Sequence, residues 1–151
     1  MNISKVVKRF LEWIRLKERL HESEAKTPLF KEGEVWWSSM GENIGVEVNG
    51  KGSKFSRPVI IFKKLSADGF LAIPLSTKIK TGTWYIPITH RGIKCVAVLS
   101  QVRVLSAKRI LEKYGELDRN DREKVREGFI LLYLGKKFVP PFRAGSWDNP
   151  K

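Results

Sequence analysis

The sequence has few of the residue types on which metal and redox chemistry depend. Its 151 residues include one cysteine, Cys95, and two histidines, His21 and His90. A single cysteine excludes an intramolecular disulfide and favours a reducing compartment, and no Cys/His cluster has the spacing of a metal site. Cys95 precedes an apolar run, which predicts a buried strand thiol. The histidines form no obvious acid/base pair, and His90, beside Arg91 in a turn sequence, is expected to be exposed.

Long apolar runs are also missing. The longest, from Phe129 to Leu134, is far too short to span a bilayer. Lys and Glu interrupt the apolar positions near the N-terminus, so no secretory signal is visible. The sequence therefore predicts a cytoplasmic protein without a membrane partner.

Acidic residues are scarce in the middle of the chain. The whole chain has 29 Lys plus Arg against 16 Asp plus Glu, a formal net charge of +13. Between Lys51 and Arg103, ten basic residues stand against one acid, Asp68. The positive charge of this region indicates a polyanionic ligand, in preference to a role in solubility alone. The lack of carboxylates disfavours a two-metal nuclease.

The hydrophobic pattern changes from helix to strands and back. Apolar positions at helical spacing predict a helix over residues 3–24, followed by a linker. Short apolar or alternating runs joined by tight turns predict a small antiparallel barrel or meander, with strands at 34–38, 58–62, 70–75, 84–88 and 94–99. Ser106 is predicted to cap a short helix that ends at Gly115, and Asp118 to cap a longer one that stops at Gly135. The tail 136–151 is expected to be mobile.

Four strings of residues, in order, resemble the PemK/MazF family of type II toxin–antitoxin systems. They are Glu32-Gly33-Glu34-Val35-Trp36-Trp37, then Gly45-Val46-Glu47 with Arg57-Pro58-Val59-Ile60-Ile61, then Ala72-Ile73-Pro74-Leu75-Ser76-Thr77, and finally Val98-Leu99-Ser100-Gln101-Val102-Arg103. Each string alone is weak, but the four together are fairly specific. The sequence departs from the family in its long loop between Glu47 and Arg57, in Ser76 where many members have Thr, and in its N-terminal helix.

The resemblance implies a mainly β (α+β) fold, an SH3-like β-barrel of the PemK/MazF type with peripheral helices and an extra N-terminal helix. The expected organisation is an amphipathic helix over 1–26, the barrel with its C-terminal helices over 30–135, and the mobile tail over 136–151. The implied function is that of a toxin that cuts single-stranded RNA without metal or cofactor, using the RNA 2′-hydroxyl as nucleophile.

The resemblance also assigns roles to individual residues. Arg57 would stabilise the phosphorane, because its planar fork binds phosphate oxygens bidentately. Ser76 would position the phosphate or relay a proton, and Glu47 is a candidate base. The expected RNA-binding residues are Thr77, Gln101, Arg103, Lys78 and Lys54. Without the resemblance, Arg57 would be interpreted as a solvated or ion-paired arginine at the start of a strand, Ser76 as a loop hydroxyl and Glu47 as a surface acid.

The implied partners are single-stranded RNA, a second copy of the chain in a homodimer, and an antitoxin whose acidic tail would occupy the RNA groove. DNA binding by the toxin–antitoxin complex is a further expectation. The N-terminal helix is expected to add antitoxin or dimer contacts. Aromatic residues that could stack on RNA bases are Trp36, Trp37, Phe55, Trp84 and Tyr85. Two other functions stay open: a non-catalytic RNA- or protein-binding barrel, and inhibition of a protein such as a topoisomerase.

Overall fold

The structure is a computed structural model that describes residues 4–135. Within this range it contains two α-helices and seven β-strands. In chain order these are α1 (Lys5–Glu22), β1 (Glu34–Ser39), β2 (Ser56–Lys64), β3 (Gly69–Ser76), β4 (Tyr85–His90), β5 (Ile93–Val98), β6 (Arg103–Ser106), β7 (Ile110–Glu116) and α2 (Arg119–Leu134). The predicted tail, 136–151, lies outside the described residues.

The seven strands form one antiparallel sheet that curls into a half-barrel. The order across the sheet is β4-β5-β3-β2-β1-β7, and β6 pairs with the first half of β3. β3 therefore lies at the centre: its first residues pair with β2 and β6, and its last residues, Leu75 and Ser76, pair with β5. This architecture confirms the predicted mainly β fold with an additional N-terminal helix.

Alternation of side chains along each strand builds two apolar clusters, one on each face of the sheet. On β2, Val59 and Ile61 belong to the first cluster, with Phe30, Trp36 and Phe70. Ile60, between them in sequence, belongs to the second cluster with Val35, Ile73 and Leu75. The strand parity thus determines which face any other side chain of the sheet joins.

Helix α2 covers the second cluster. Asp118 caps it, its carboxylate accepting a hydrogen bond from the backbone N–H of Asp121 at 2.7 Å, and Gly135 follows its last residue. Val125 is buried in the second cluster, and Phe129 packs against Phe62 with 4.7 Å between ring centroids. No helix among residues 4–135 has the length and apolar character needed to cross a membrane.

The helix predicted over 106–115 is wrong. Ser106 does act as a cap, because its hydroxyl accepts from the N–H of Lys108, but only a single 3-10 turn follows, Ala107–Arg109. The chain then continues as β7, which pairs with β1 along Glu34 to Ser38. Ser106 and Gly115 favour a helix locally, but the pairing of this segment with the buried strand β1 outweighs that preference.

Glu34, on β1, is a buried carboxylate at the point where β1 and β7 meet. It is 6% exposed, and its oxygens accept from the amide of Lys31 at 2.9 Å, the Trp36 indole at 2.8 Å and the Lys113 ammonium at 2.8 Å. Burial alone raises the pKa of Glu34, but the hydrogen bonds from Lys113, Trp36 and Lys31 outweigh it and the pKa is lowered. The charged form of Glu34 therefore stabilises the folded state.

We expect Glu34→Gln to lower the free energy of unfolding at neutral pH by about 2 kcal/mol, the typical contribution of hydrogen bonds to a charged group. Because the folded-state pKa is lowered, this contribution is present above the ordinary value of 4.5 and is lost as the pH falls through the folded-state pKa. Urea unfolding of both proteins at neutral and acidic pH measures the difference.

The matched control is Glu116→Gln, since the Glu116 carboxylate also contacts Lys113, at 2.9 Å, but is exposed. It should cost well under 1 kcal/mol, as exposed ion pairs do. A Glu34→Gln effect that stays constant with pH would contradict the assignment of this stability to the ionised carboxylate.

Candidate active site

Arg57 and Ser76 lie at the same end of two neighbouring strands. β2 and β3 run antiparallel with Val59 opposite Pro74. Arg57 stands two residues before Val59, and Ser76 two residues after Pro74, so the two residues reach the same level of the sheet. The predicted phosphate-binding pair is therefore brought together by strand register.

Backbone carbonyls, not a carboxylate, hold the Arg57 guanidinium. Nε donates to the carbonyl of Asn49 at 2.9 Å, and Nη1 donates to the carbonyl of Leu75 at 3.1 Å. No acidic side chain among residues 4–135 forms an ion pair with it. Burial lowers the pKa of Arg57, yet an arginine stays charged at neutral pH. The group is a fixed cation with spare donors: of five N–H groups, two are used.

Ser76 ends β3 and turns the chain away from the sheet. Its hydroxyl oxygen accepts from the backbone N–H of Lys78 at 3.2 Å. Accepting this bond fixes the oxygen and leaves the hydroxyl hydrogen free to be donated. Ser76 is half-buried, whereas Thr77 and Lys78 are exposed. A phosphate oxygen near Arg57 would find a second donor here.

A cavity of about 340 Å³ opens at this end of the sheet. Arg57, Ser76 and Thr77 are among the residues that line it, together with Trp37, Lys51, Gly52, Ser56, Pro58, Leu75, His90, Ile93, Cys95 and Tyr114. The cavity therefore combines cationic and hydroxyl groups with an apolar, aromatic wall. Its volume suits a small organic group such as one nucleobase.

His90, expected to be an exposed turn residue, is in fact buried, with 5% exposure. It is the last residue of β4, and the turn is made by Arg91 and Gly92. Its Nε2 lies 2.7 Å from the carbonyl oxygen of Tyr114 on β7, so Nε2 carries the hydrogen and donates. Gly115 provides the space, because a Cβ there would come within 3.0 Å of the ring. The expected exposure is wrong because β7 packs over His90 with Tyr114 and Gly115, a contact that a helix over 106–115 would not make.

Cys95 is buried, as expected for a strand thiol. Burial raises its pKa, which keeps the thiol protonated at neutral pH. It lines the cavity as an apolar wall residue rather than as a nucleophile.

Glu47 and Gln101 do not line the cavity. Glu47 is exposed in the turn at residues 44–47, where its carboxylate accepts from the N–H of Ile44 at 2.9 Å. Gln101 holds the same turn, because its side-chain amide accepts from Val48 N–H and donates to the Val46 carbonyl, both at 3.0 Å. Gln101 is thus bonded to the backbone on either side of Glu47 and fixes the position of that turn.

The other predicted RNA contacts are spread around the site. Arg103 lies on β6 opposite Ala72, and its charge, after the larger effect of burial, contributes to the lowered pKa of Arg109. Lys54 is exposed in the loop before β2, and Lys78 is exposed just after β3. None of these three cations lines the cavity. Their RNA-binding roles remain predictions.

The five candidate stacking aromatics divide between core and surface. Trp36 and Phe55 are buried in the interior, whereas Trp84 is exposed and Tyr85 is half-buried. Trp37 lines the cavity and packs against Tyr114, with 5.2 Å between ring centroids. No signal in the sequence indicates Tyr114, which reaches the cavity through the β1–β7 pairing.

Within the described range 4–135, no three His, Cys, Asp or Glu side chains gather into a group that could hold a metal ion. The site described by the structure consists of an unpaired guanidinium, two hydroxyl side chains and an aromatic wall.

Comparison with known proteins identifies the relatives of this fold. The family model described as the PemK-like, MazF-like toxin of type II toxin–antitoxin systems matches residues 31–133. No curated protein matches the sequence.

Solved structures share the fold at low identity. A MazF from Deinococcus radiodurans is 19% identical with a TM-score of 0.57, and the match covers 72% of this chain and 97% of that one. A MazE-MazF structure from the same organism is 18% identical, with a TM-score of 0.55 and coverage of 75% and 100%. An endoribonuclease in complex with its cognate antitoxin, from Mycobacterial species, is 14% identical, with a TM-score of 0.55 and coverage of 73% and 99%.

The family match spans strands β1 to β7, the Arg57–Ser76 pair and nearly all of α2, and it leaves out α1. This chain therefore belongs to the family of PemK-like, MazF-like toxins of type II toxin–antitoxin systems.

Proposed function

We propose that the protein is a metal-independent endoribonuclease that cleaves single-stranded RNA. In the proposed reaction the RNA 2′-oxygen attacks the adjacent phosphorus and the bond from phosphorus to the 5′-oxygen breaks. The products are a 2′,3′-cyclic phosphate and a 5′-hydroxyl end, and the proton lost by the 2′-hydroxyl is balanced by the one gained by the leaving oxygen. The observation that carries this proposal is the rigidly held guanidinium of Arg57, without a carboxylate partner, beside the Ser76 hydroxyl.

Arg57 and Ser76 would act on the phosphorane. Charge develops on its non-bridging oxygens, and donors that are already in place stabilise it without reorganisation. The carbonyls of Asn49 and Leu75 fix the guanidinium plane while leaving N–H groups of Nη1 and Nη2 free to be donated. Ser76, whose oxygen is fixed by the Lys78 amide, would donate its hydrogen to the phosphate or relay a proton.

The proposed base is Glu47. Its carboxylate is exposed and lies in a turn fixed by Gln101, outside the cavity. In this role the carboxylate would take the proton of the 2′-hydroxyl next to the phosphate that Arg57 holds, so the RNA would have to bind with that ribose between the cavity and the turn. Thr77, Lys78, Lys54, Gln101 and Arg103 are proposed to bind RNA along the surrounding surface, and the aromatic wall with Trp37 and Tyr114 is proposed to receive a base.

A second candidate function is a binding barrel without catalysis. The position of Glu47 favours this function, because Glu47 is the only proposed base and it does not line the cavity to which Arg57 belongs. Free guanidinium donors and an aromatic wall would also suit RNA binding alone. The two functions are separated by whether RNA is cut.

We expect the purified protein to cut a long single-stranded RNA at discrete positions in excess EDTA. Arg57→Ala should lower the rate by on the order of a hundredfold or more, and Ser76→Ala by a smaller factor, because each removes a donor at the site of developing charge. Gel analysis of end-labelled RNA measures both.

Arg119→Ala is the matched control, since it removes the same charge from an exposed position at the start of α2. Its rate should stay close to that of the wild type. RNA binding without cleavage by the folded, antitoxin-free wild-type protein, over diverse sequences, would reject the endoribonuclease and support the binding barrel.

The proposed partners are a second copy of the chain and an antitoxin with an acidic tail. A net charge of +13 is complementary to such a tail. Two of the similar structures are of a MazE-MazF pair and of an endoribonuclease in complex with its cognate antitoxin. A cytoplasmic location fits these partners and is part of the proposal.

Helix α1 has an exposed apolar stripe that could contact the antitoxin or the second copy of the chain. Four of its side chains are about half exposed or more: Val6 at 62%, Val7 at 48%, Leu11 at 43% and Ile14 at 57%. We propose that this stripe contacts the antitoxin or the second copy, because apolar residues aligned on one helix face gain stability when covered.

We expect the double substitution Val7→Ser and Leu11→Ser to weaken the antitoxin complex or the dimer, while leaving Trp13 and Arg9 in place. Size-exclusion chromatography with light scattering, with and without the co-purifying antitoxin, measures both. If deletion of residues 1–26 also changes neither complex formation nor oligomeric state, the stripe has no such role.

A further inference from the structure

Helix α1 lies outside the residues that the family model matches, yet it contacts the loop beside Arg57. This loop, residues 40–55, connects β1 to β2 and ends two residues before Arg57. Trp13 of α1 packs against Phe55 at the end of the loop, with 5.5 Å between ring centroids. Gly41, at the other end, has a φ of +93°, and a Cβ there would collide with the Trp13 indole. The loop is therefore shaped to receive the helix.

Arg9 is the polar part of this contact. All three of its guanidinium nitrogens bond the loop: Nη1 donates to the Gly52 carbonyl at 2.8 Å, Nη2 to the Gly50 carbonyl at 3.3 Å, and Nε to the Glu42 carboxylate at 3.2 Å. Its Cζ lies 3.7 Å from the centroid of the Phe55 ring. The side chain is 28% exposed, so these bonds are partly shielded from water.

The same loop holds Arg57. The carbonyl of Asn49 accepts from Arg57 Nε at 2.9 Å, and the next carbonyl along the chain, that of Gly50, accepts from Arg9. The side-chain amide of Asn49 also donates to Glu42 at 3.3 Å, and Glu42 in turn is paired with Arg9. Two arginines therefore hold consecutive carbonyls of one loop, and one carboxylate links Arg9 to the residue that positions Arg57.

We propose that Arg9 is a positioning residue for Arg57, and that α1 thereby forms part of the active site of this chain. This inference rests on the proposed endoribonuclease function. Without Arg9, the Gly50 and Gly52 carbonyls and Glu42 lose their cationic partner. The Asn49 segment is then held mainly by the hydrogen bonds within the loop, from Gly50 N–H to the Gly41 carbonyl at 2.9 Å and from Asn43 N–H to the Asn49 side chain at 2.6 Å. One of the two acceptors of the Arg57 guanidinium is therefore held less accurately. Misplacement of a catalytic group by about 1 Å can reduce a rate by about a hundredfold.

The kinetic test compares Arg9→Ala with Arg15→Ala in the full-length protein. Arg15 is exposed on the same helix, so both variants lose one positive charge from α1 and affect long-range RNA attraction equally. We expect Arg9→Ala to lower kcat by about tenfold or more, with KM within about twofold of the wild type. Arg15→Ala should leave both near wild type. Equal effects of the two variants would overturn the inference.

A double-mutant cycle separates positioning from general loss of stability. If Arg9 acts through Arg57, then Arg9→Ala should cost little, less than about twofold, in an Arg57→Lys background, because lysine has no Nε to be positioned. The same fold-loss in both backgrounds would show that Arg9 supports the fold alone. Arg9→Lys should recover part of the loss, since its ammonium can still pair with Glu42.

An independent readout does not need RNA cleavage. The Arg57 Nε–H resonance, identified in a ¹⁵N NMR spectrum by its disappearance in Arg57→Ala, should be observable in the wild type because it is hydrogen-bonded. In Arg9→Ala it should exchange faster with water or broaden, and in Arg15→Ala it should not change. An unchanged resonance in Arg9→Ala overturns the inference, whereas a wild-type protein that shows the resonance but cuts no RNA overturns the proposed function instead.

Discussion

The candidate site depends most on how one guanidinium is held at the end of the sheet. Arg57 bonds two backbone carbonyls, those of Asn49 and Leu75, and so it is oriented without being neutralised. A carboxylate in the same place would fix the arginine equally well but would compete with a phosphate for the same N–H groups. Carbonyl anchoring keeps the positive charge available, although burial lowers the pKa of the group. One anchor comes from the loop between β1 and β2 and the other from the penultimate residue of β3, so the site requires both the loop and the sheet register to be correct.

Several elements of the surrounding structure position Arg57, Ser76 and the wall of the cavity. The antiparallel pairing of β2 and β3 brings Ser76 to the level of Arg57. The loop 40–55 supplies the Asn49 carbonyl. Gln101 fixes the turn at residues 44–47, and Arg9 of α1 bonds the Gly50 and Gly52 carbonyls. The opposite wall of the cavity comes from β1, β4, β5 and β7, through Trp37, His90, Cys95 and Tyr114. Residues distant in sequence therefore meet here because the half-barrel curls, and helix α1, which lies outside the family match, contacts the 40–55 loop.

Much of the fold could be predicted from the sequence, since five strands follow alternating or continuous apolar runs and α2 has its cap at Asp118 and its stop at Gly135. Strand β7 could not be predicted, because Ser106 and Gly115 are residue types that commonly begin and end helices. Only the pairing with β1 makes this segment extended. The burial of His90 depends on its contact with β7, so it could not be predicted either. Arg57, Ser76 and Thr77 were found through the family resemblance, because residue type alone does not distinguish them from surface residues. Glu47, Gln101 and Arg103 lie outside the cavity. Their positions could not be predicted, because a motif gives spacing along the chain but not the direction in which a loop turns.

The central claim is that the RNA's own 2′-oxygen is the nucleophile at the site of Arg57 and Ser76, as expected of a site whose described residues supply phosphate donors but neither a metal-binding group nor an activated side-chain nucleophile. It is tested most directly with a short RNA that contains one wild-type cleavage position, compared with the same RNA carrying a single 2′-deoxynucleotide on the 5′ side of that position. The account predicts that the all-ribose strand is cut to a 2′,3′-cyclic phosphate and a 5′-hydroxyl, and that the substituted strand binds with similar affinity but stays intact. Cleavage of the substituted strand at the same position would contradict it, because the nucleophile would then have to be water or a side chain.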